Sequence, residues 1–176
     1  EPLQDRKLLV YAEQGFGDTL QFCRYLTLLS DQGVEVYFEC QRPMLELCRS
    51  LQGVKDVVAR KDPLPEADYC IPLMSIPHMF KTTLESVPSI VPYLFPSPPK
   101  VDSFRAQLNG TDLKVGLVWL GNPGRQDDDM RSCPETALAQ IRAVKHVQFV
   151  SLQFGRISPN SHGNLLDLGT QCTGFD

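Results

Sequence analysis

The sequence predicts an α/β fold, in which a mostly parallel sheet carries helices on both faces. Three observations indicate it: short apolar runs alternate with stretches of helical apolar spacing, a glycine-bearing turn follows the first run, and the same alternation starts again at residue 114. With 176 residues, 42% of them hydrophobic, the chain is long enough for one domain with its own core and part of another.

The first half of the chain contains the more complete pattern. The run KLLVYA at 7–12 has the length and apolarity of a buried parallel strand, and the apolar residues between 18 and 30 recur at helical spacing. Gly33 ends this helix, and Pro43 suits the first turn of the next. We therefore predict a βαβαββ order: strand 7–12, helix 18–30, strand 34–40, a helix between 43 and 53, strand 57–59 and strand 68–71.

A proline-rich stretch, VPSIVPYLFPSPP at 87–99, divides the chain. Its five prolines exclude a helix or a central strand, so we predict an extended connection with Tyr93, Leu94 and Phe95 as apolar anchors. Residues 1–99 are then one complete Rossmann-like domain with its linker at 87–99, and 100–176 are the truncated start of a second. The elements predicted there are helix 101–108, strand 114–121, helix 134–142 and strand 147–153.

The turn AEQGFGDTLQF at 12–22 joins the first strand to the first helix. In a parallel α/β sheet this turn lies at the carboxyl edge, where ligands bind and where a helix N-terminus favours anions. The dinucleotide fingerprint G-x-G-x-x-G requires a small residue where Leu20 stands, although Glu39, at the end of the second strand, suits a ribose contact. A Walker loop is excluded, because no G-K-[ST] follows.

Asp18, directly after the second glycine, has two interpretations. A carboxylate in the first turn of a helix is stabilised by about 0.3 to 1 kcal/mol, so Asp18 can serve as a cap. The same negative charge opposes phosphate binding, and a fixed carboxylate beside a ligand cleft suits a general base that takes a proton from a hydroxyl. The residues alone leave both roles open.

The composition argues against several classes of protein. With 17 basic and 21 acidic side chains the net charge is -4, unlike the basic face of a nucleic-acid-binding protein. No apolar run reaches the roughly 18 residues of a membrane-spanning helix. Six cysteines without CxxC or zinc-site spacing indicate buried thiols in a reducing compartment. We therefore expect a cytoplasmic protein with no nucleic-acid partner and no membrane span.

Several segments along nearly the whole chain resemble glycosyltransferases. They are, in order, EPLQDRKLLVYAEQGFGDTLQFCRYLTLL, VEVYFECQRPMLELCRSLQGV, KVGLVWLGNPGRQDDDMRS and VQFVSLQ. The chain is similar to the heptosyltransferase-type enzymes of glycosyltransferase family 9 and, more narrowly, to the glycosyltransferase-like domain that follows tetratricopeptide repeats in many bacterial proteins. The resemblance implies a GT-B architecture, with the acceptor held by the first Rossmann-like domain and the nucleotide-sugar donor by the second. It also implies tetratricopeptide repeats earlier in the same chain as a partner.

The resemblance gives particular residues a role. It makes Asp18 the catalytic base of an inverting displacement, and it makes Arg131, with Arg125 second, the basic residue that stabilises the leaving diphosphate. Asn122 is a further donor-side candidate, through the backbone N–H groups of its loop. A glycan or protein acceptor is expected to contact Gln14, Gly15, Gly17 and His78. No metal or cofactor is implied, because the nucleotide-sugar is a substrate.

Two other groups of residues are weaker candidates. The acidic triplet at 127–129 contains the D-x-D pattern with which transferases of a different fold hold a metal ion, but the flanking arginines favour a solvated loop. Glu39, Gln41 and Arg42 end the second predicted strand at the same sheet edge as Asp18 and are weaker acceptor-site candidates. Glu13 is the alternative to Gln14 for a hydrogen bond to a sugar hydroxyl.

The sequence departs from the family pattern at its end. The family's later donor motif of Asp, Thr or Ser, and His is not reached by residue 176, so we expect a fragment that does not turn over substrate alone. A second hypothesis is a non-catalytic binding or scaffold domain that keeps the transferase fold. A third is a nucleotide-dependent oxidoreductase that uses the glycine turn, which Leu20 opposes.

Overall fold

The chain forms two compact units in a computed structural model that describes residues 3–121, 128–154, 165–172 and 174–175. The first unit contains residues 1–101 and 174–176, and the second contains residues 102–173. Each unit is built around its own parallel sheet, and helices connect several of the strands. The predicted α/β class with parallel sheets is confirmed, and it is consistent with a Rossmann-like fold.

The sheet of the first unit has four parallel strands. They are β1 (Lys7–Tyr11), β2 (Glu35–Cys40), β3 (Val54–Ala59) and β4 (Tyr69–Pro72), and they lie in the order β3-β2-β1-β4. Leu9 of β1 is paired with Tyr37 on one side and with Cys70 on the other. β1 reads as a continuous apolar run because, as an interior strand of a parallel sheet, it is covered on both faces.

Two short helices, α1 (Phe16–Phe22) and α2 (Arg24–Asp31), replace the single helix predicted over 18–30. At Cys23 the hydrogen bonding tightens, since the Leu26 N–H donates to the Cys23 carbonyl at 3.0 Å, a step of three residues. The prediction was wrong there because one tight turn hardly alters the spacing of the apolar residues. The other helices of the first unit are α3 (Leu45–Cys48), α4 (Ile76–Met79) and 3₁₀ helices at Arg42–Met44, Leu73–Ser75 and Leu84–Ser86.

The core of the first unit lies between the sheet and these helices. Phe38 of β2 is fully buried and is the largest of the fully buried side chains. The other large, fully buried side chains of this unit are Leu8, Leu26, Leu29, Met44, Leu73 and Ile76. They come from strands and helices alike, so the apolar residues of both kinds of element pack together in one cluster.

The proline-rich segment is held against α1 and α2. Tyr93 donates its hydroxyl proton to the Leu20 carbonyl at 2.8 Å, while the Arg24 guanidinium donates to the Tyr93 hydroxyl at 2.9 Å and to the Pro88 carbonyl at 2.8 Å. Arg24 also lies over the Tyr93 ring, 4.4 Å from its centroid. Tyr93 and Leu94 pack on the core as predicted, but Phe95 is 41% exposed and was wrongly predicted as an anchor.

Removing the Tyr93 hydroxyl is expected to loosen this attachment. Tyr93→Phe keeps the ring but loses two hydrogen bonds, so we expect the free energy of unfolding in urea to fall by about 1 to 2 kcal/mol. Tyr11→Phe is the matched control, because the Tyr11 hydroxyl bonds to none of the residues described. Equal effects of the two substitutions would show that the Tyr93 hydroxyl does not fasten the segment.

Among its described residues, the second unit has a three-stranded parallel sheet in the order β5-β6-β7. Its described elements are α5 (Pro98–Gln107), which begins in the first unit, β5 (Leu113–Leu117), α6 (Asp128–Arg131), α7 (Glu135–Arg142), β6 (Val147–Ser151), β7 (Leu165–Asp167) and a 3₁₀ helix at Gly169–Gln171. The prediction that no helix lies within 87–99 was wrong at its end, because prolines 98 and 99 occupy the first turn of α5, where a missing N–H costs no hydrogen bond. β5 ends before residue 121 because the N–H groups of Trp119 and Leu120 bond to the Gln153 side chain instead of a strand. β7 was not predicted, since three residues carry no readable periodicity.

The cysteines are free thiols, three of them buried. Burial raises the pKa of the Cys23 thiol to about 12, which keeps it protonated and unreactive. Cys70 is exposed, so the expectation of a buried thiol was wrong there: Tyr69 and Cys70 lie on β4, an edge strand of the sheet. Within the described part of the chain, no helix is both long and apolar enough to span a membrane.

Candidate functional site

The carboxyl ends of β1 to β4 lie along one edge of the first sheet, because all four strands run in parallel. From β1 the chain crosses to β2 and β3 on one side and later to β4 on the other. In open α/β sheets, ligands bind in the crevice at such a switch point, beyond the carboxyl ends of the strands. The loops that follow β1 and β4 therefore border the candidate site.

Asp18 lies in the first turn of α1, directly beyond β1. Its Oδ2 accepts a hydrogen bond from the Gly15 N–H at 3.1 Å, and the residue is half-buried. Within the described residues, its other carboxylate oxygen, Oδ1, accepts no hydrogen bond. The capping role and the base role would therefore use different oxygens of the same carboxylate, so the two interpretations left open by the sequence are compatible.

The two glycines of the turn are not required by the packing of the first unit. Gly15 has φ -74°, an ordinary value for any residue, and a Cβ there would make only a normal contact with Asp18 Oδ2 at 3.4 Å. A Cβ on Gly17 would meet nothing within 4 Å. Phe16, between them, packs its ring on Phe175 at a centroid distance of 5.0 Å. Because neither Gly15 nor Gly17 carries a side chain, a ligand can approach the backbone of the turn closely.

Gln41, the residue after β2, connects the turn to the sheet. Its Nε2 donates to the Gln14 carbonyl at 2.8 Å, and its Oε1 accepts from the Thr19 hydroxyl at 3.0 Å. That hydroxyl also lies 3.2 Å from the Gly15 carbonyl, and Thr19 is only 1% exposed. Sequence reasoning missed Thr19, whose signal was a polar residue amid the apolar spacing of the first helix.

The remaining acceptor-side candidates are placed differently. Gln14 is exposed. It takes part in the hydrogen bonds of the turn through its backbone carbonyl, which accepts from Gln41. His78 is exposed on α4, after β4, and makes no side-chain hydrogen bond to the described residues of the turn. Glu13 Oε1 accepts from the Met74 N–H at 3.2 Å and so joins the loops after β1 and β4. The structure thus unites Gln14, Gly15 and Asp18 but leaves His78 apart from their hydrogen bonds.

Arg60, after β3, is a charged residue at this edge that sequence reasoning missed. It donates to the Ala12 carbonyl, and its Nε lies 3.7 Å from Glu39 Oε1. Glu39, the residue that suited a ribose contact in the dinucleotide interpretation, is thereby engaged by a cation of the protein itself. Arg42, one of the weaker acceptor-site candidates, is likewise engaged within the protein, because it forms an ion pair with Asp62. The signal in the sequence that could have revealed Arg60 was a basic residue directly after a predicted strand.

The corresponding edge of the second unit is organised by Gln153. This side chain is 6% exposed; its Oε1 accepts from the Trp119 and Leu120 N–H groups at 3.2 and 2.9 Å. A Cβ on Gly169 would lie 2.4 Å from the Gln153 carbonyl oxygen, so this close approach requires glycine. Trp119, whose N–H bonds to Gln153, is itself a buried core residue.

The donor-side candidates are only partly covered by the structure. Arg131 is exposed at the end of α6. Ser132, the residue directly after that helix, accepts a hydrogen bond from the Gly121 N–H through its Oγ at 3.1 Å. Asn122 and Arg125 lie outside the described residues, as does Asp127 of the acidic triplet. Among the residues that are described, no group of three His, Cys, Asp or Glu side chains could hold a metal ion.

The fold and the site together define a parallel α/β protein whose first unit carries a polar network at the switch point of its sheet. Compared with known proteins, the chain is similar to protein FlbA of Caulobacter vibrioides, with 25% identity over 175 residues. The alignment covers 88% of this chain but only 29% of FlbA, so the chain spans less than a third of that relative's length. No protein family matches the chain, and no solved structure matches it.

Proposed function

We propose that this chain is part of an inverting glycosyltransferase of the heptosyltransferase type, with a GT-B architecture and Asp18 as the general base. The observation that carries the proposal is the position of the Asp18 carboxylate, at the switch point of the first sheet, with one oxygen held by Gly15 and the other without a described partner. The sequence resemblance to glycosyltransferase family 9 supports the same assignment over nearly the whole chain.

The chemistry assigned to Asp18 is a single displacement. The proton of an acceptor hydroxyl passes to Asp18 Oδ1 while the hydroxyl oxygen forms a bond to the anomeric carbon of the donor. The bond from that carbon to the diphosphate oxygen breaks, and its electron pair leaves with the nucleoside diphosphate. Attack opposite to the leaving group inverts the configuration at the anomeric carbon. Because Oδ2 stays bound to the Gly15 N–H, the carboxylate is already oriented before the acceptor binds.

The second unit would supply the donor side. Arg131, exposed at the end of α6, is the described cation assigned to the leaving diphosphate, and Arg125 and Asn122 are assigned to the same role. The acceptor would lie over the open backbone of Gly15 and Gly17, where an added Cβ meets little or nothing. Tetratricopeptide repeats in the same protein remain a proposed partner.

A non-catalytic binding domain is the second candidate function. The hydrogen bond from Gly15 to Asp18 favours it, because that contact gives the aspartate a structural use independent of catalysis. The oxidoreductase hypothesis is less well supported, since Leu20 stands where a glycine is needed and Glu39 is engaged by Arg60.

Release of nucleoside diphosphate from a panel of nucleotide-sugars tests the proposal. The full natural protein that contains this chain is incubated with each donor, with and without candidate acceptors, and the diphosphate is measured. We expect release from one donor class, accompanied by a higher unfolding temperature in its presence. If no donor is consumed and none raises the unfolding temperature, the transferase proposal is wrong and the binding domain is favoured. Stabilisation by NADH alone would instead support the oxidoreductase.

A further inference from the structure

The peptide unit between Gln14 and Gly15 is held at both ends. Its carbonyl oxygen, on Gln14, accepts a hydrogen bond from Gln41 Nε2 at 2.8 Å. Its N–H, on Gly15, donates to Asp18 Oδ2 at 3.1 Å. In a planar trans peptide the C=O and the N–H point in opposite directions, so fixing one fixes the other. The Gln41 side chain and the Asp18 carboxylate are thus joined through one rigid group.

This peptide unit has an alternative orientation that the backbone permits. Turning the plane over would bring Gly15 to positive φ, which glycine adopts about as readily as negative φ. It would also replace the N–H facing Asp18 with a carbonyl oxygen, whose partial negative charge repels a carboxylate. The only described partner of the Gln14 carbonyl in the observed orientation is the Gln41 side chain. Gln41 therefore selects between the two orientations.

The Gln41 amide is itself oriented by its surroundings. The Gln14 carbonyl can only accept, so the amide nitrogen must face it. The amide oxygen then faces the Thr19 hydroxyl at 3.0 Å, which donates to it from a buried position. The backbone of Gln41 directly follows β2, and its carbonyl accepts from the Met44 N–H at 2.8 Å. Side chain and backbone alike are held in place by the fold.

We propose that Gln41 is a positioning residue, which holds the Gln14–Gly15 peptide so that its N–H orients the Asp18 carboxylate. The catalytic consequence rests on the proposed function, whereas the orientation of the peptide does not. This assignment replaces the sequence interpretation of Gln41 as an acceptor-site residue, because both its amide oxygen and its amide nitrogen are engaged within the protein.

Hydrogen exchange at the Gly15 amide tests the role without any substrate. Gln41→Glu keeps an oxygen that accepts from Thr19 but has no donor for the Gln14 carbonyl. In ¹⁵N-glycine-labelled protein we expect the Gly15 amide to exchange about tenfold faster in this variant, the loss of one hydrogen bond's protection. The Gly33 amide, bonded to the Ser30 carbonyl at 2.9 Å, is expected to stay unchanged and serves as an internal reference.

Two further variants separate positioning from charge and from folding. Gln32→Glu adds the same charge at an exposed glutamine after α2 and is expected to leave Gly15 exchange unaltered. Gln41→Met removes the donor without adding charge, and it is expected to reproduce the faster exchange even if the glutamate variant folds poorly. Unchanged Gly15 exchange in a folded Gln41 variant, or equal acceleration at Gly33, overturns the proposal.

Kinetics then measure the consequence for transfer. We expect Gln41→Glu in the full natural protein to lower kcat about tenfold and to leave the KM for the acceptor unchanged, because Gln41 acts through Asp18. A raised acceptor KM with unchanged kcat would instead make Gln41 an acceptor-binding residue and overturn its positioning role. Absence of any transfer in the wild-type protein counts against the proposed function, while the exchange result still decides whether Gln41 orients the peptide.

Discussion

Asp18→Asn in the full natural protein is expected to lower the rate of sugar transfer by a factor of about 10² to 10⁴, the usual contribution of a general base. Asparagine has nearly the shape of aspartate, and its carbonyl oxygen can still accept the hydrogen bond from the Gly15 N–H. It cannot take a proton from an acceptor hydroxyl. The loss should therefore appear in kcat, measured by initial rates of nucleoside diphosphate release, with little change in the unfolding temperature.

Asp31→Asn is the matched control for this experiment. Asp31 is an exposed aspartate at the end of α2, so its substitution removes the same charge away from the turn and is expected to leave the rate unchanged. If Asp18→Asn retains the full wild-type rate, Asp18 is a cap and not the base. A fall in rate that is matched by a fall in unfolding temperature would likewise assign the residue a structural role.

Phe38→Ala is expected to lower the free energy of unfolding by about 3 to 5 kcal/mol, because it opens a cavity in the core of the first unit. Phe38 is 0% exposed on β2, between β1 and β3, and among the described residues it is the largest fully buried side chain. A sheet bonded on both sides of β2 cannot easily collapse to fill the space. Urea unfolding followed by circular dichroism measures the change.

Phe95→Ala gives the comparison at the surface. Phe95 is 41% exposed in the proline-rich segment, and its backbone N–H, which the substitution keeps, donates to Ser50 Oγ at 2.9 Å. We expect a loss of less than about 1 kcal/mol there. Comparable losses at 38 and 95 would mean that Phe38 contributes no more to the core than an exposed side chain and would contradict the packing described.

The turn after β1 gives the two carboxylate oxygens of Asp18 different surroundings. One oxygen is bound to the Gly15 N–H, which limits its motion, and the other accepts no hydrogen bond from the described residues, which is compatible with the proposed role as a base. The polar contacts that hold the turn come from three separate loops: Gln41 after β2, Arg60 after β3 and Met74 after β4. A site whose supports come from several strands is rigid because each strand end is fixed by the sheet.

Prediction from the sequence was most successful where the signal was local. β1 and β2 were predicted nearly to their ends because apolar residues at buried strand positions follow one another in the chain. The break at Cys23, the early end of β5 at Leu117 and the exposure of Phe95 were missed. Each of these features depends on hydrogen bonds or on the packing of other parts of the chain, and the spacing of apolar residues does not reveal either.

The sequence by itself determined the succession of β1 to β6 along the chain, the parallel α/β class and the placing of a glycine turn with Asp18 at the end of the first strand. Only the tertiary structure decided which polar groups surround that turn. Gln41 is 27 residues from Gln14, and Arg60 is 48 from Ala12; these pairs meet because the ends of parallel strands converge on one edge of the sheet. Buried positions can be recognised in the sequence because apolar residues recur there with the period of a strand or a helix. A hydrogen bond between distant loops produces no such pattern.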